Sequence, residues 1–172
     1  MIRFIGANPG LTILHGDERV AFASVWRADW SECGPGRAIV LWHAGATRVV
    51  ATDASLGLWL AQDFTRHFPE VAGLTWPVPE VDVDEVLIEL DLTTGLHATP
   101  RDLTVQIGPP TDRRLFQTDE FALGGVKHGL STVFMPCETG SLHIGGAPVP
   151  GSAAKAFLAD AEVWTRPSPS AD

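Results

Sequence analysis

Asp84-Glu85-Val86-Leu87-Ile88-Glu89-Leu90-Asp91-Leu92 is the stretch that decides the fold. Val86, Ile88, Leu90 and Leu92 alternate with Leu87, Glu89 and Asp91. A period of two is that of a β-strand with one buried and one wet face. Thr93-Thr94-Gly95 turns the chain, and Leu103, Val105 and Ile107 resume the alternation before Gly-Pro-Pro-Thr-Asp at 108–112 stops it. Segments 114–123, 130–135 and 141–144 read as further strands. A Pro- and Gly-rich loop at 145–152 precedes a last long one around 156–165.

Working back from residue 84, the pattern is less clean but of the same kind. Segments 11–15, 19–26, 37–43 and 47–52 are short, apolar and β-branched. His-Gly-Asp-Glu at 15–18 and Ala-Gly-Ala at 44–46 have the composition of hairpin turns, and Cys-Gly-Pro-Gly at 33–36 breaks the chain. Between 53 and 69 the period changes. Asp53 or Ser55 can cap a helix, and Leu56, Leu60, Phe64 and Phe68 recur every fourth residue until Pro69 ends the run. The three prolines of 69–80 describe an extended surface crossing.

About ten short strands and one principal α-helix at about 55–67 predict a mainly β domain, an antiparallel barrel or sandwich. Strands and helices do not alternate, so a doubly wound nucleotide-binding sheet is not expected. The 172 residues fit one domain over 1–166, with Arg-Pro-Ser-Pro-Ser-Ala-Asp leaving a frayed tail at 167–172.

Charge narrows the partners. Twelve Lys and Arg face 21 Asp and Glu, a net −9, and a phosphate backbone is held by neutralising it. Neither nucleic acid nor a membrane is an expected partner. No apolar run approaches the roughly 18 residues of a membrane span, and the N-terminal residues meet a turn signal before a signal-peptide core could form. The cytoplasm is the expected compartment, with Cys33 and Cys137 reduced. The Ala-, Gly- and Arg-rich, Lys-poor composition fits a GC-rich bacterial genome.

Several constellations could carry chemistry. Asp160 and Glu162 share one strand face with Trp164. If that face lines a cavity, two carboxylates in a partly dry space are candidates for acid–base work. Asp63 and His67 are four apart on the helix, the spacing at which a carboxylate orients an imidazole base. Trp30, Trp59 and Trp76 border turns or the helix and, with Trp164, are candidate walls of a ligand pocket, whereas Trp26 and Trp42 read as core. His128, Cys137 and His143, with Asp119 nearby, are residue types that zinc accepts, but their spacing matches no compact metal motif. No metal is expected. Gly124, Gly125 and Gly129 are not spaced as a dinucleotide loop, so no cofactor is expected either.

The reading that follows is a protein that binds a small apolar or aromatic molecule within a β-barrel or sandwich. It extends to a cofactor-free isomerase, cyclase or hydratase. The competing readings are a non-catalytic structural or protein-interaction domain and, third, a metal-dependent enzyme using the His and Cys set. Homodimerisation through sheet edges is compatible with the first two.

Overall fold

The computed structural model describes residues 1–166; the tail expected at 167–172 lies outside them. In the stretch read first, Val86 is buried, Ile88, Leu90 and Leu92 pack against the core, and Glu89 and Asp91 face solvent. Its regular part is one short strand of a small sheet. We number strands in chain order: β1 Ile2–Ala7, β2 Gly10–His15, β3 Glu18–Ser31, β4 Gly36–His43, β5 Ala46–Ala51, β6 Glu80–Val83, β7 Ile88–Asp91, β8 Gly95–Ala98, β9 Leu103–Pro110, β10 Arg114–Leu123, β11 Val126–Ile144, β12 Ala147–Pro148 and β13 Ser152–Thr165. One helix, α1, spans Ala54–Trp59.

The strands follow the order β6-β5-β4-β3-β1-β13-β11-β9-β8-β7, with β2 against β13 and β3, and β10 and β12 against β11. The path begins and ends on different strands, so it does not close into a barrel. It folds over itself as a sandwich, and β11 makes the fold possible. Residues 128–136 of this long strand pair with β13, and residues 137–144 pair with β9. The sequence reads this stretch as two strands because Pro136, Cys137 and Gly140 interrupt its alternation. In the structure the interruption is where the strand leaves one sheet and enters the other. Leu11, Val25, Ile39 and Leu158 of the large sheet meet Leu96, Leu103, Val105 and Leu142 of the small one, forming a first core.

β1 is not among the strands read from the sequence, yet it lies centrally between β3 and β13. Gly6 hides its pattern. A β-carbon there would sit 1.9 Å from the Arg27 carbonyl oxygen, so the bulged pairing with β3 admits only glycine.

The other face of the large sheet is covered by the helical segment. Asp53 caps α1 by accepting from the Leu56 N–H at 2.9 Å. Leu56, Leu60, Phe64 and Phe68 are all buried, as their spacing predicts. The segment does not stay α-helical. It widens to a π-turn over Leu60–Phe64 and tightens to 3₁₀ over Thr65–His67, and the Thr65 hydroxyl donates to the Leu60 carbonyl at 3.0 Å. Gly57 lets it lie close to β5. The proline-rich crossing is held by Trp42 Nε1 donating to the Thr75 carbonyl (2.9 Å) and Thr47 donating to Pro77 (2.8 Å). It ends in β6, which pairs parallel to β5 and makes the sheet mixed. Among the described residues no helix is long and apolar enough to cross a membrane.

Candidate functional site

The residues singled out in the sequence fall in three places. Asp160 and Glu162 lie on β13 with their side chains on the face opposite the helix. Cross-strand pairing extends that face through two rows. One runs Gln117, Ser131, Glu162, Ile5, Trp30, and the other Leu115, Val133, Asp160, Ala7, Arg27. Of these, Ile5, Leu115, Gln117, Ser131, Val133, Asp160 and Glu162 line an open trough of about 500 Å³. Same-face neighbours on a strand are about 7 Å apart, too far to share a proton. Burial pushes the Asp160 carboxyl above its ordinary range, the nearby Arg27 guanidinium opposes this, and Asp29 adds to it. The perturbation is that of a half-buried acid rather than of a coupled pair. Trp164 lies across Gly129 so closely that a β-carbon there would be 2.0 Å from the indole. Trp30, paired with Ile5, is 45% exposed and outside the trough's lining.

Asp63 and His67 diverge, because the π-turn changes the register between them. Asp63 lies 3.7 Å from Arg3, whose guanidinium also pairs with Glu32 and lies 5.6 Å from the Trp59 ring centre. His67 is exposed and rests against Gly124 in the β10–β11 turn. Trp76 packs beneath the crossing beside the helix-side core.

His128, Cys137 and His143 all lie on β11. At about 3.3 Å per residue a single strand holds neighbouring members of this set some 20 to 30 Å apart. His128 is moreover fully engaged, accepting from Arg3 at Nε2 (3.1 Å) and bonded through Nδ1 to the Val126 carbonyl (3.0 Å). The Cys137 thiol donates to the Met135 carbonyl and is pushed up by burial. Asp119 sits in the bulged part of β10. Among the described residues no three His, Cys, Asp or Glu side chains come together as a metal would require.

A different cavity lies between the large sheet and the helical segment. Its volume is about 160 Å³. Six of the eight phenylalanines line it: Phe4, Phe64, Phe68, Phe121, Phe134 and Phe157, with Trp26 among them. The rings brace one another: Trp26 meets Phe4 edge-on at 5.1 Å and stacks on Phe68 at 5.9 Å, and Phe134 stacks on Phe157 at 5.0 Å. Ala159 and Ala161 on β13 line the same cavity. Two small residues between Phe157 and Val163 leave the space that these rings surround.

Two residues of this wall carry buried polar atoms. Trp26 is 1% exposed, and among the described residues its Nε1–H has no acceptor. Asn8 Oδ1 is likewise buried with no donor among them. Buried polar groups are nearly always bonded, and each exception calls for an explanation. Thr132, the hydroxyl residue on the wall, is already engaged, donating to the Asp160 carbonyl at 3.0 Å. Glu70 is the one titratable residue on the wall among those described.

Sequence reasoning gives Trp26 as core, which it is, and gives Asn8 only as part of a turn. The seven aromatics here are spread over six elements, β1, β3, the helical segment, β10, β11 and β13, and no one of these segments signals a cavity by itself. The Ala159–Ala161 pair in an otherwise bulky strand face is the one signal of room.

No family model, curated protein or solved structure matches this chain.

Proposed function

We propose that this protein binds a small apolar or aromatic molecule in the cavity beneath the helical segment. The observation that carries the reading is a ring-lined space that the aromatic side chains surround without filling, with Asn8, Glu70 and Thr132 as the polar residues of its wall. Ligand sites have this composition: apolar walls and a few placed polar groups. An apolar space of about 150 Å³ is enough to hold benzene. With Glu70 as its sole titratable wall residue, the cavity is suited to binding rather than to acid–base chemistry. The trough of Asp160 and Glu162 offers acids but is open to solvent.

Toluene followed by saturation-transfer NMR tests the reading. Binding is expected in the natural chain and is expected to disappear in Ala161→Leu, whose side chain fills the space. A natural chain that binds no toluene up to its solubility limit overturns the proposal.

A second reading, self-association, is favoured by β10. Among the described residues this strand pairs only with β11, leaving its other edge without a strand partner, and Leu115 and Phe116 are 75% and 55% exposed on it. Arg113 and Arg114 stand at one end and Asp119 and Glu120 at the other. An antiparallel pairing of two copies would set opposite charges face to face. Sedimentation velocity is expected to show a dimer that Phe116→Lys converts to monomer. A concentration-independent monomer ends this reading.

A further inference from the structure

We propose that the outer face of the small sheet binds a neutral linear oligosaccharide, laid across the strands along the row Glu89, His97, Gln106 and Ser141. The groove that holds this row shares no residue with the aromatic cavity.

Strand pairing fixes the row. Glu89 on β7 is opposite His97 on β8, His97 is opposite Gln106 on β9, and Gln106 is opposite Ser141 on β11. Residues directly opposite one another project to the same side of a sheet. Here it is the solvent side, because their chain neighbours Leu96, Ile107 and Leu142 belong to the core. Glu89, His97 and Gln106 are exposed and Ser141 is half-buried. Four polar side chains thus stand in line over about 14 Å, three strand spacings. They border an open groove of about 960 Å³. The next row shapes its floor. Between Asp91 and Thr139 lie Gly95 and Gly108, where a β-carbon would be 2.4 Å from the Ile107 carbonyl oxygen and 2.7 Å from the Thr94 carbonyl oxygen. Glycine in both places leaves bare backbone, which a ligand can approach closely.

The chemistry of the row selects its occupant. Asp91 and Thr139 are engaged within the chain: Asp91 accepts from the Thr93 N–H and hydroxyl (2.7 and 2.6 Å), and Thr139 donates to the Gly108 carbonyl (2.5 Å). Among the described residues the side chains of Glu89, His97, Gln106 and Ser141 have no hydrogen-bond partner and stand open to a ligand. Together they offer a carboxylate with two acceptor oxygens, an imidazole and an amide that both donate and accept, and a hydroxyl. A chain of sugar rings presents hydroxyls of the same dual kind along its length, and adjacent pairs of them match the two oxygens of a carboxylate. An anionic ligand fits less well, since no Lys or Arg lines the groove. An apolar one would meet mostly polar side chains, because Leu90, Leu96 and Ile107 turn to the core. A polyamine would find Glu89 as the one uncommitted carboxylate of the lining. His97 lies two strand spacings, about 10 Å, from Ser141, too far to activate it as a nucleophile.

Cellotriose, maltotriose and laminaritriose, titrated into the isotope-labelled intact chain and followed by amide NMR, test the proposal, with spermidine as a polycation of similar length. Each is taken to about 10 mM, where a site of about 1 mM Kd is filled. At least one trisaccharide is expected to shift the amide signals of His97, Gln106 and Ser141 and to leave those of Trp26 and Phe64 in place. Gln106→Ala, at an exposed position, removes the central amide and is expected to weaken that binding about fivefold. Its unshifted signals outside the groove show that the variant is folded. No shift with any of the three sugars, shifts confined to other surfaces, or an affinity unchanged in Gln106→Ala overturns the proposal. Spermidine moving the same signals at lower concentration than the sugars overturns it in favour of a cation site. Toluene binding in the aromatic cavity is independent of every one of these results.

Discussion

Gly57→Ala sets two effects of opposite sign against each other, and the structure decides between them. Gly57 is within α1, where alanine is the better helix former by about 1 kcal/mol. Propensity alone therefore expects a more stable protein. A β-carbon at this position, however, would lie 2.6 Å from the Ala51 β-carbon and 2.9 Å from Val49 Cγ1. Both neighbours are on β5, in a fully buried part of the sheet, and neither is the tip of a flexible chain. To reach ordinary contact the helix must rise by most of an ångström, and Leu56, Leu60 and Phe64 rise with it. Overpacking of a close-packed interior costs about 1–3 kcal/mol, and two rigid contacts place this case near the upper end. Subtracting the propensity gain leaves a net loss of about 2 kcal/mol. For a domain of this size that is a fall in Tm of about 4–8 °C, read by calorimetry or circular dichroism. A Tm that stays level or rises would show that the helix does not rest on β5 as described.

Leu60→Ala, at a fully buried position on the same face, is expected to cost about 2–5 kcal/mol in chemical denaturation. Gly129→Ala is expected to expel the Trp164 indole from its place across the strand, lowering stability by about 1–3 kcal/mol and shifting tryptophan emission to the red; unchanged emission would argue against the close contact. Asp160 carries a pH signature. Burial raises its folded-state pKa, so folding favours the protonated acid. That contribution is present below the ordinary carboxylate value and lost as pH rises through the folded value. Asp160→Asn should therefore raise Tm near neutral pH, and the gain should fade in acid below the ordinary range. A gain that is the same at every pH would mean that charge is not its cause.

Much of the fold is legible because its signals are local. The 84–92 alternation sorts buried from exposed residues as the structure does, the every-fourth repeat from Leu56 to Phe68 is the buried face of the helical segment, and the hairpin turns at 15–18, 44–46 and 93–95 fall between β2 and β3, β4 and β5, and β7 and β8. What escapes is set by distant partners. Nothing around Pro136 says that one strand will serve two sheets, because the change is in which neighbour it meets. Gly6 gives no strand signal in the sequence and is a point of close approach between β1 and β3. At the candidate site, the common face of Asp160, Glu162 and Trp164 follows from strand parity. The divergence of Asp63 from His67 does not follow from spacing, because an i,i+4 argument assumes an α-helix and a π-turn intervenes. The aromatic cavity is invisible residue by residue, since Trp26 and each phenylalanine have the neighbours of an ordinary core position.

The central place of β1 bears on how the chain acquires its structure. Its partners are β3, a short way along the chain, and β13, at the far end of the described residues, so that Ile2 is paired with Trp164 and Gly6 with Ala161. During synthesis on the ribosome β1 emerges well before β13, and one of its two edges stays unpaired until β13 has been made. Bringing such remote segments together costs chain entropy before any contact repays it, and chains dominated by remote pairings fold in about milliseconds to seconds rather than microseconds. A growing chain of this protein thus carries an open strand edge from the synthesis of β1 to that of β13, and that interval is when chaperones matter to this edge.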